Sequence, residues 1–175
     1  DIEKLRKYDN RNAFELMVPK LKMYDGVKIS SSRIRNLLNQ GDIVGARECL
    51  GRDYMLSGTV VSGEKLGRKL GYPTANIKLE YNYPLDGIYL TRTVIEEKNY
   101  VGLASLGNKP TFNGSEKILE VFILDFDEDI YSQNIEVYFL EEIRKQIKFS
   151  NKDELIKQMN EDHKYAIINS KKYGI

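Results

Sequence analysis

From Tyr54 onward the chain alternates apolar and polar side chains with a period of two, the pattern of half-buried β-strands. The strands that this pattern predicts are Tyr54–Val61, Gly87–Ile95, 100–106, 119–126 and 135–140. Polar turns at 96–99 and 127–129 and a loop at 108–115 separate several of them. Strands joined by short turns indicate an antiparallel barrel or sandwich, here a closed β domain from about residue 52 to 149.

Helical periodicity precedes and follows this β region. Hydroxyl side chains at 30–32 precede one helix, which Gly41 ends, and Asp42 is placed to cap a second helix, Ile43–Leu50. Ser150 is expected to cap a last helix, whose inward stripe is Leu155, Ile156, Met159, His163, Ala166 and Ile167. The predicted division is a mixed or helical lead-in at 1–50 and a β domain with a C-terminal helix at 51–175.

Charge is nearly balanced in the 175 residues, since 27 basic and 26 acidic side chains leave a formal net charge of +1. This balance argues against a nucleic-acid partner, which requires a basic face.

The single cysteine, Cys49, excludes an internal disulfide and a thiolate metal cluster. Without a signal peptide or an apolar run long enough to cross a bilayer, we expect a cytoplasmic protein with no membrane partner. The start at Asp1 rather than Met is consistent with a fragment, and the oligomeric state stays open.

Residues 67–76, with the sequence Gly-Arg-Lys-Leu-Gly-Tyr-Pro-Thr-Ala-Asn, hold the most informative combination of side chains. Glycines let a backbone approach a ligand closely, and Arg68 and Lys69 suit anionic oxygens. If the chain re-enters a strand here, Thr74 and Asn76 point to one face. Their neutral oxygens then suit a hard metal ion that already carries phosphates. The stretch indicates a metal–nucleotide polyphosphate site, although Gly-Tyr-Pro-Thr is also ordinary turn chemistry and the spacing is not that of a Walker loop.

Glu120 is a carboxylate inside the apolar run 118–124. Strict alternation places Glu120, Phe122 and Leu124 on one face of the strand, and Leu119, Val121 and Ile123 on the other. Glu120 is then either a partly buried general base or an exposed residue on an open sheet face, and the pattern leaves both possibilities open.

Three further candidates have ordinary explanations. The acidic run 125–129 loosely matches a calcium loop, but Ile130 stands where that loop requires glycine, so a solvated turn is expected. His163 is the only histidine of the chain and is expected to serve packing rather than catalysis. The basic segment 144–149 is a solvated linker unless another feature assigns it a ligand.

The sequence at 67–76 closely resembles the signature of riboflavin kinases. Three other segments are similar to further parts of that family: 106–112 to its second loop, 119–126 to its catalytic-glutamate strand and 139–149 to its flavin-side segment. Residues 29–35 resemble the closing motif of the nucleotidyltransferase domain that precedes the kinase in bacterial bifunctional riboflavin kinase/FAD synthetases. Together these segments cover nearly the whole chain.

The resemblance implies a six-stranded antiparallel Greek-key barrel with a C-terminal α-helix, preceded at 1–50 by a fragment of an α/β nucleotidyltransferase domain. It implies transfer of the γ-phosphoryl group of ATP to the 5′-hydroxyl of riboflavin, with Mg²⁺ as cofactor and FMN and ADP as products. These substrates are small molecules.

The resemblance also implies roles for individual residues. Glu120 would be the catalytic base, and Thr74 and Asn76 would be the ligands of Mg²⁺. Arg144 and Phe149 would contact the flavin or its phosphate. The implied nucleotide-binding residues are Gly63, Arg68, Lys69, Gly71, Pro73, Thr74 and Asn76. The implied remnant of the adenylyltransferase motif, expected to be idle here, is Ser30, Ser31, Ser32, Arg33 and Arg35.

The chain departs from the family pattern in three places. Phe122 stands where a histidine is common, and Gln146 replaces a frequent acidic residue near the flavin. A His-x-Gly-His nucleotide motif is absent from the sequence, so we expect that this chain by itself does not make FAD. Phe122 and Gln146 give slight support to an alternative, a non-catalytic flavin-binding or regulatory module. An oligonucleotide-binding barrel is disfavoured by the balanced charge.

Overall fold

A computed structural model of the chain describes residues 2–9, 16–18, 20–63, 66–111 and 114–175. It contains two compact units, Asp1–Ser30 and Ser31–Ile175. The first unit holds helix α1 (Ile2–Asp9) and an antiparallel pair of short strands, β1 (Met23–Tyr24) and β2 (Val27–Lys28). All residues that the resemblance assigns to a kinase site lie in the second unit.

The second unit is built from the following elements in chain order: α2 (Ser31–Gln40), α3 (Ile43–Leu50), β3 (Tyr54–Val61), α4 (Leu66–Lys69), β4 (Thr74–Lys78), β5 (Gly87–Ile95), β6 (Lys98–Thr111), β7 (Gly114–Ile123), β8 (Asn134–Arg144), α5 (Lys152–Ser170) and a 3₁₀ turn (Lys171–Tyr173). Six strands close into a barrel in the order β3-β4-β7-β6-β5-β8, and every neighbouring pair is antiparallel. This confirms the barrel that the resemblance implies and excludes the sandwich.

The strand bounds follow the alternation of the sequence only in part. Strands β3 and β5 begin and end as predicted. The loop predicted at 108–115 is wrong, because the pairing of β6 with β7 continues to Thr111 opposite Gly114. Residues 112 and 113, within the same predicted loop, lie outside the described residues. Strand β7 ends at Ile123 rather than at 126, since Asp125 adopts a φ of 53° in the turn that follows.

The two faces of β7 alternate as the sequence predicted. Leu119, Val121 and Ile123 belong to the buried cluster that fills the barrel. The partly buried Phe122 packs against a second cluster, which also contains Ala166 of α5. Helix α5 therefore covers the outer face of the barrel, on the side that carries Glu120.

Helices α2 and α3 belong to the same compact unit as the barrel. As predicted, the Asp42 carboxylate caps α3 by accepting a backbone N–H at 2.8 Å, and Gly51 ends that helix with a φ of 70°. The division into 1–50 and 51–175 stays a prediction about domain origin, whereas the compact unit begins at Ser31.

Helix α5 differs from its prediction at two points. Asn151, rather than Ser150, caps it: Asn151 Oδ1 accepts from the Glu154 backbone N–H at 2.9 Å, and the Glu154 carboxylate accepts from the Ser150 backbone N–H at 3.1 Å. Ile167 was wrongly assigned to the inward stripe, since it is 48% exposed. Asp162, only 5% exposed, lies inward, because it forms an ion pair with an arginine at the end of β8.

We expect Asn151→Ala to lower the free energy of unfolding by about 1 kcal/mol, because it removes the acceptor for a helix N-terminal N–H group. Asn151→Ser keeps an acceptor oxygen for that N–H and a donor for the Glu154 carboxylate, and should stay within roughly 0.3 kcal/mol of the parent protein. Urea denaturation followed by circular dichroism measures both values. Equal losses for the two variants would show that capping by this side chain does not stabilise α5.

Candidate active site

A cavity of about 310 Å³ lies between the outer face of the barrel and helix α5. Its apolar wall is formed by Ile88, Leu103, Phe122, Phe149, Leu155 and Met159. Its polar side chains are Tyr72, Thr74, Asn76, Ser105, Glu120, Arg144, Gln146 and Asp162. A mostly apolar pocket of this size with a few convergent polar groups is the usual form of a small-molecule site. We call it the first cavity.

Three adjacent strands align polar side chains in one row of this cavity. Asn76 of β4 is registered opposite Glu120 of β7, which is registered opposite Ser105 of β6. Directly opposite residues in antiparallel strands have Cβ atoms about 5 Å apart. An amide, a carboxylate and a hydroxyl are thus brought together. Thr74 lines the same cavity as Asn76, as their spacing of two residues predicted.

The glycine-rich segment before β4 folds back on the carbonyl oxygen of Gly67. That oxygen accepts two backbone N–H groups from further along the segment, each at 2.9 Å. Gly71 completes the turn with a φ of 84°, which other residues rarely adopt. Gly63 lies against Asn76, since a Cβ on Gly63 would come within 2.4 Å of the amide nitrogen of Asn76. Gly67 borders the first cavity together with Thr74 and Asn76, so the start of the segment lies close to the polar row.

A second cavity, of about 250 Å³, shares Thr74 with the first. Arg68, Pro73 and Thr74 lie on its wall, together with residues 126–131. Thr74 therefore borders both cavities, whereas Arg68 and Pro73 border the second. Lys69 lies in α4, and its side chain is outside the described part of the structure.

Arg144, predicted to contact the flavin, is held by Asp162 at the wall of the first cavity. Nε and Nη2 of Arg144 donate to the two carboxylate oxygens of Asp162 at 2.7 to 3.1 Å. Asp162 also accepts from Gln158 Nε2 at 3.0 Å. The ring centre of Phe149 lies 6.0 Å from the guanidinium carbon. The charge of Arg144 is thus compensated and its planar group is fixed in orientation.

Aromatic side chains join the glycine-rich segment to α5. The ring of Tyr72 makes edge contacts with Phe122 and His163, at centroid distances of 5.1 and 6.2 Å. The Tyr72 hydroxyl donates to the side-chain oxygen of Asn160. Burial, followed by the charge of Asp162, raises the pKa of Tyr72, so its hydroxyl stays protonated and can donate at neutral pH. His163 takes part in ring packing, as expected.

The family model described as "Flavokinase: Riboflavin kinase" matches residues 50–168. The chain belongs to the riboflavin kinase family. A Buchnera aphidicola protein (subspecies Schizaphis graminum) named bifunctional riboflavin kinase/FMN adenylyltransferase is 42% identical over 140 residues, which cover 78% of this chain and 45% of that protein. The Listeria monocytogenes protein of the same name is 35% identical over 162 residues, covering 90% and 51%. The chain thus spans about half the length of the curated relatives it matches.

The chain is also similar, in structure and in sequence, to a protein whose structure has been solved. A Streptococcus pneumoniae protein described as a macrolide-efflux protein superposes with a TM-score of 0.81 at 37% identity, covering 91% of this chain and 54% of that chain. In the present structure, no helix among the described residues has the length and apolar character needed to span a membrane.

The structure brings some of the predicted site residues together and leaves others apart. Those that border the first cavity are Thr74, Asn76, Glu120, Arg144 and Phe149. The residues of the predicted adenylyltransferase motif border neither cavity; they are Ser30, Ser31, Ser32, Arg33 and Arg35. The chemical roles of all these predicted site residues stay predictions. Within the described ranges there is no group of three or more His, Cys, Asp or Glu side chains that could hold a metal ion.

Sequence reasoning missed Tyr72, Ser105 and Asp162 as cavity residues. For Asp162 a signal was present, because it follows Met159 by three positions and shares its helix face. Ser105 follows Leu103 by two positions on β6 and therefore shares its face of the sheet. Tyr72 precedes β4 in a turn, where no periodicity indicates the direction of a side chain.

We expect Asp162→Asn to lower the free energy of unfolding by about 3 kcal/mol, because it leaves a buried guanidinium uncompensated. The side chains of Arg144 and Asp162 are only 16% and 6% exposed. The control is Glu161→Gln, an exposed neighbour on the same helix, which should change stability by less than about 0.5 kcal/mol. Urea denaturation compares the two variants, and a loss for Asp162→Asn no larger than that of the control would contradict the role of this ion pair.

Proposed function

We propose that this chain transfers the γ-phosphoryl group of ATP to the 5′-hydroxyl of riboflavin, giving FMN and ADP. The observation that carries the proposal is the position of Glu120 in a polar row beside the apolar first cavity, with Thr74 bordering both cavities. A base thus stands where an alcohol from one cavity can meet a phosphate from the other. Membership in the riboflavin kinase family favours turnover over the non-catalytic module.

The first cavity suits the flavin ring. Leu103, Phe149 and Met159 offer apolar surfaces on β6, on the segment after β8 and on α5. Burying a flat aromatic ring against such surfaces is favourable, and ring contacts with Phe149 add to it. Because Glu120 lines the same cavity, we expect the ribityl chain to extend toward it when the ring is bound there.

The second cavity suits the nucleotide. The positive charge of Arg68 on its wall favours phosphates near Thr74. Pro73 borders this cavity but has no backbone N–H to donate, and Gly63 and Gly71 line neither cavity, so the assignment of these three residues to the nucleotide stays a prediction. The acidic stretch 127–129 on the far part of the wall is unsuited to phosphate, but its carboxylates can accept from ribose hydroxyls or an amino group. We therefore place the phosphates at the Thr74 end and the nucleoside toward 126–131.

Thr74 and Asn76 fit a Mg²⁺ ion that arrives with the phosphates. The amide nitrogen of Asn76 donates to the Thr74 carbonyl at 3.4 Å, which orients the amide and leaves its oxygen for another partner. Mg²⁺ prefers oxygen ligands and usually takes few of them from the protein when substrate phosphates supply others. When bound, it neutralises charge on the β- and γ-phosphates.

In the reaction, the 5′ oxygen of riboflavin attacks the γ-phosphorus while its proton passes to the Glu120 carboxylate. The bond between the γ-phosphorus and the β,γ-bridging oxygen breaks, and its electrons leave with ADP. Phosphoryl transfer depends mainly on positioning and charge neutralisation. A positioned base contributes a factor of about 10² to 10⁴ when the acceptor is a weakly acidic alcohol.

FMN adenylylation, the second activity in the names of the curated relatives, is not proposed for this chain alone. The assignment of residues 30–35 to a remnant of that activity stays a prediction. Because the sequence has no His-x-Gly-His motif, we expect FMN and no FAD when the chain is supplied with riboflavin and ATP.

Glu120→Gln should lower kcat for FMN formation by about 10²- to 10⁴-fold, because the amide cannot take the proton of the alcohol. Binding of ATP should persist, since Glu120 is not assigned to the nucleotide. Chromatographic separation of FMN from riboflavin measures the rate, and titration calorimetry measures ATP binding. Glu80→Gln, at an exposed glutamate outside both cavities, is the matched control. Unchanged FMN formation by Glu120→Gln would overturn the assignment of the base.

Asn76→Ala should weaken the binding of ATP in the presence of Mg²⁺ by about 10-fold, because it removes one oxygen ligand. Without Mg²⁺, ATP should bind the variant and the parent protein equally well. Titration calorimetry with and without the metal measures the difference, and Asn82→Ala, at an exposed position, is the control. A loss of the same size without Mg²⁺ would show that Asn76 contacts the nucleotide itself.

A further inference from the structure

We propose that Ser105 and Gln146 form a subsite that selects flavins with a polyhydroxylated side chain. The inference rests on the proposed function, since it names how that same site would recognise the chain that carries the reacting hydroxyl. It concerns specificity, and neither residue is assigned a part in bond breaking.

Gln146 reaches from the segment after β8 to strand β6. Its Nε2 donates to Ser105 Oγ at 3.1 Å and to the Leu106 carbonyl at 3.3 Å. A primary amide has two N–H donors, and both have partners here. The orientation of the amide is therefore fixed although Gln146 is exposed, which a solvated linker residue would not require.

This arrangement leaves one donor and one acceptor for a ligand. Since Ser105 Oγ accepts from Gln146, the hydroxyl can direct its own proton elsewhere. The Oε1 atom of Gln146 can accept. Both residues line the first cavity. Ser105 Oγ lies 3.1 Å from Nε2 of Gln146, so the serine hydroxyl is next to the amide group that carries Oε1. A donor beside an acceptor complements neighbouring hydroxyls of a sugar alcohol, each of which can both accept and donate.

The position of the pair relative to Glu120 specifies which hydroxyls it meets. Ser105 is directly opposite Glu120 across β6 and β7, about 5 Å away between Cβ atoms. We place the terminal hydroxyl at Glu120 and the ring against the apolar wall, and in this pose we expect the ribityl chain to run along the row. Its inner hydroxyls, at the 2′, 3′ and 4′ carbons, are then the partners of Ser105 and Gln146.

The test compares riboflavin with a flavin that carries an unbranched 5-hydroxypentyl chain, which keeps only the terminal hydroxyl. The parent protein, Ser105→Ala, Ser105→Thr and Gln146→Ala are each assayed for phosphorylation of both flavins. Gln40→Ala, an exposed glutamine on α2 outside the cavities, is the matched control. Quenching of flavin fluorescence gives the two dissociation constants independently of turnover.

The parent protein should prefer riboflavin, and Ser105→Ala and Gln146→Ala should each lower kcat/KM for riboflavin by about 3- to 10-fold. The same variants should leave kcat/KM for the hydroxypentyl flavin unchanged, so that the preference falls. Ser105→Thr should keep the preference for riboflavin, because threonine keeps the hydroxyl.

Equal losses for both flavins would overturn the inference, since they would indicate a general effect on the cavity. A parent protein without preference for riboflavin would overturn it as well. Failure of the proposed function is distinguishable: both flavins would bind with the expected preference in the fluorescence titration, and neither would be phosphorylated.

Discussion

The register of strands β4, β7 and β6 is the constraint on which the rest of the site depends. It places Asn76, Glu120 and Ser105 in one row. Because side chains alternate along a strand, a slip of one residue in β7 would turn Glu120 into the barrel and Val121 into the cavity. Leu119 and Val121 are fully buried in the barrel, so the free energy of their burial opposes such a slip. The hydrophobic interior thus determines where the carboxylate lies.

Helix α5 converts this sheet face into an enclosed site. Without it, Phe122 and Leu103 would be exposed on the outside of the barrel, where an aromatic ligand would gain little by binding. The helix is attached by apolar packing at Ala166 and by the ion pair of Asp162 with Arg144. That pair also compensates a cation that would otherwise be costly at an apolar wall. The same contacts therefore stabilise the fold and shape the pocket.

Period-two alternation predicted five of the six barrel strands, because each strand has one face inside and one outside; β4 was expected only on the condition that the chain re-enters a strand after Pro73. It also placed Thr74 with Asn76 and Glu120 with Phe122. It could not give the length of the β6–β7 hairpin, since cross-strand pairing continues through residues whose sequence is typical of a loop. Nor could it find the contact of Asp162 with Arg144, because a buried charge departs from hydrophobic periodicity and its partner is distant in sequence. The family assignment required motif resemblance, which physical pattern alone does not supply.

The central claim is the proposed transfer of the γ-phosphoryl group of ATP to riboflavin by this chain. Phosphorus-31 NMR of the purified chain with riboflavin, ATP and Mg²⁺ tests it most directly, because it follows every phosphate at once. We expect a phosphomonoester resonance of FMN to grow in equal amount with ADP. Release of inorganic phosphate without that resonance, or no consumption of ATP, would contradict the claim.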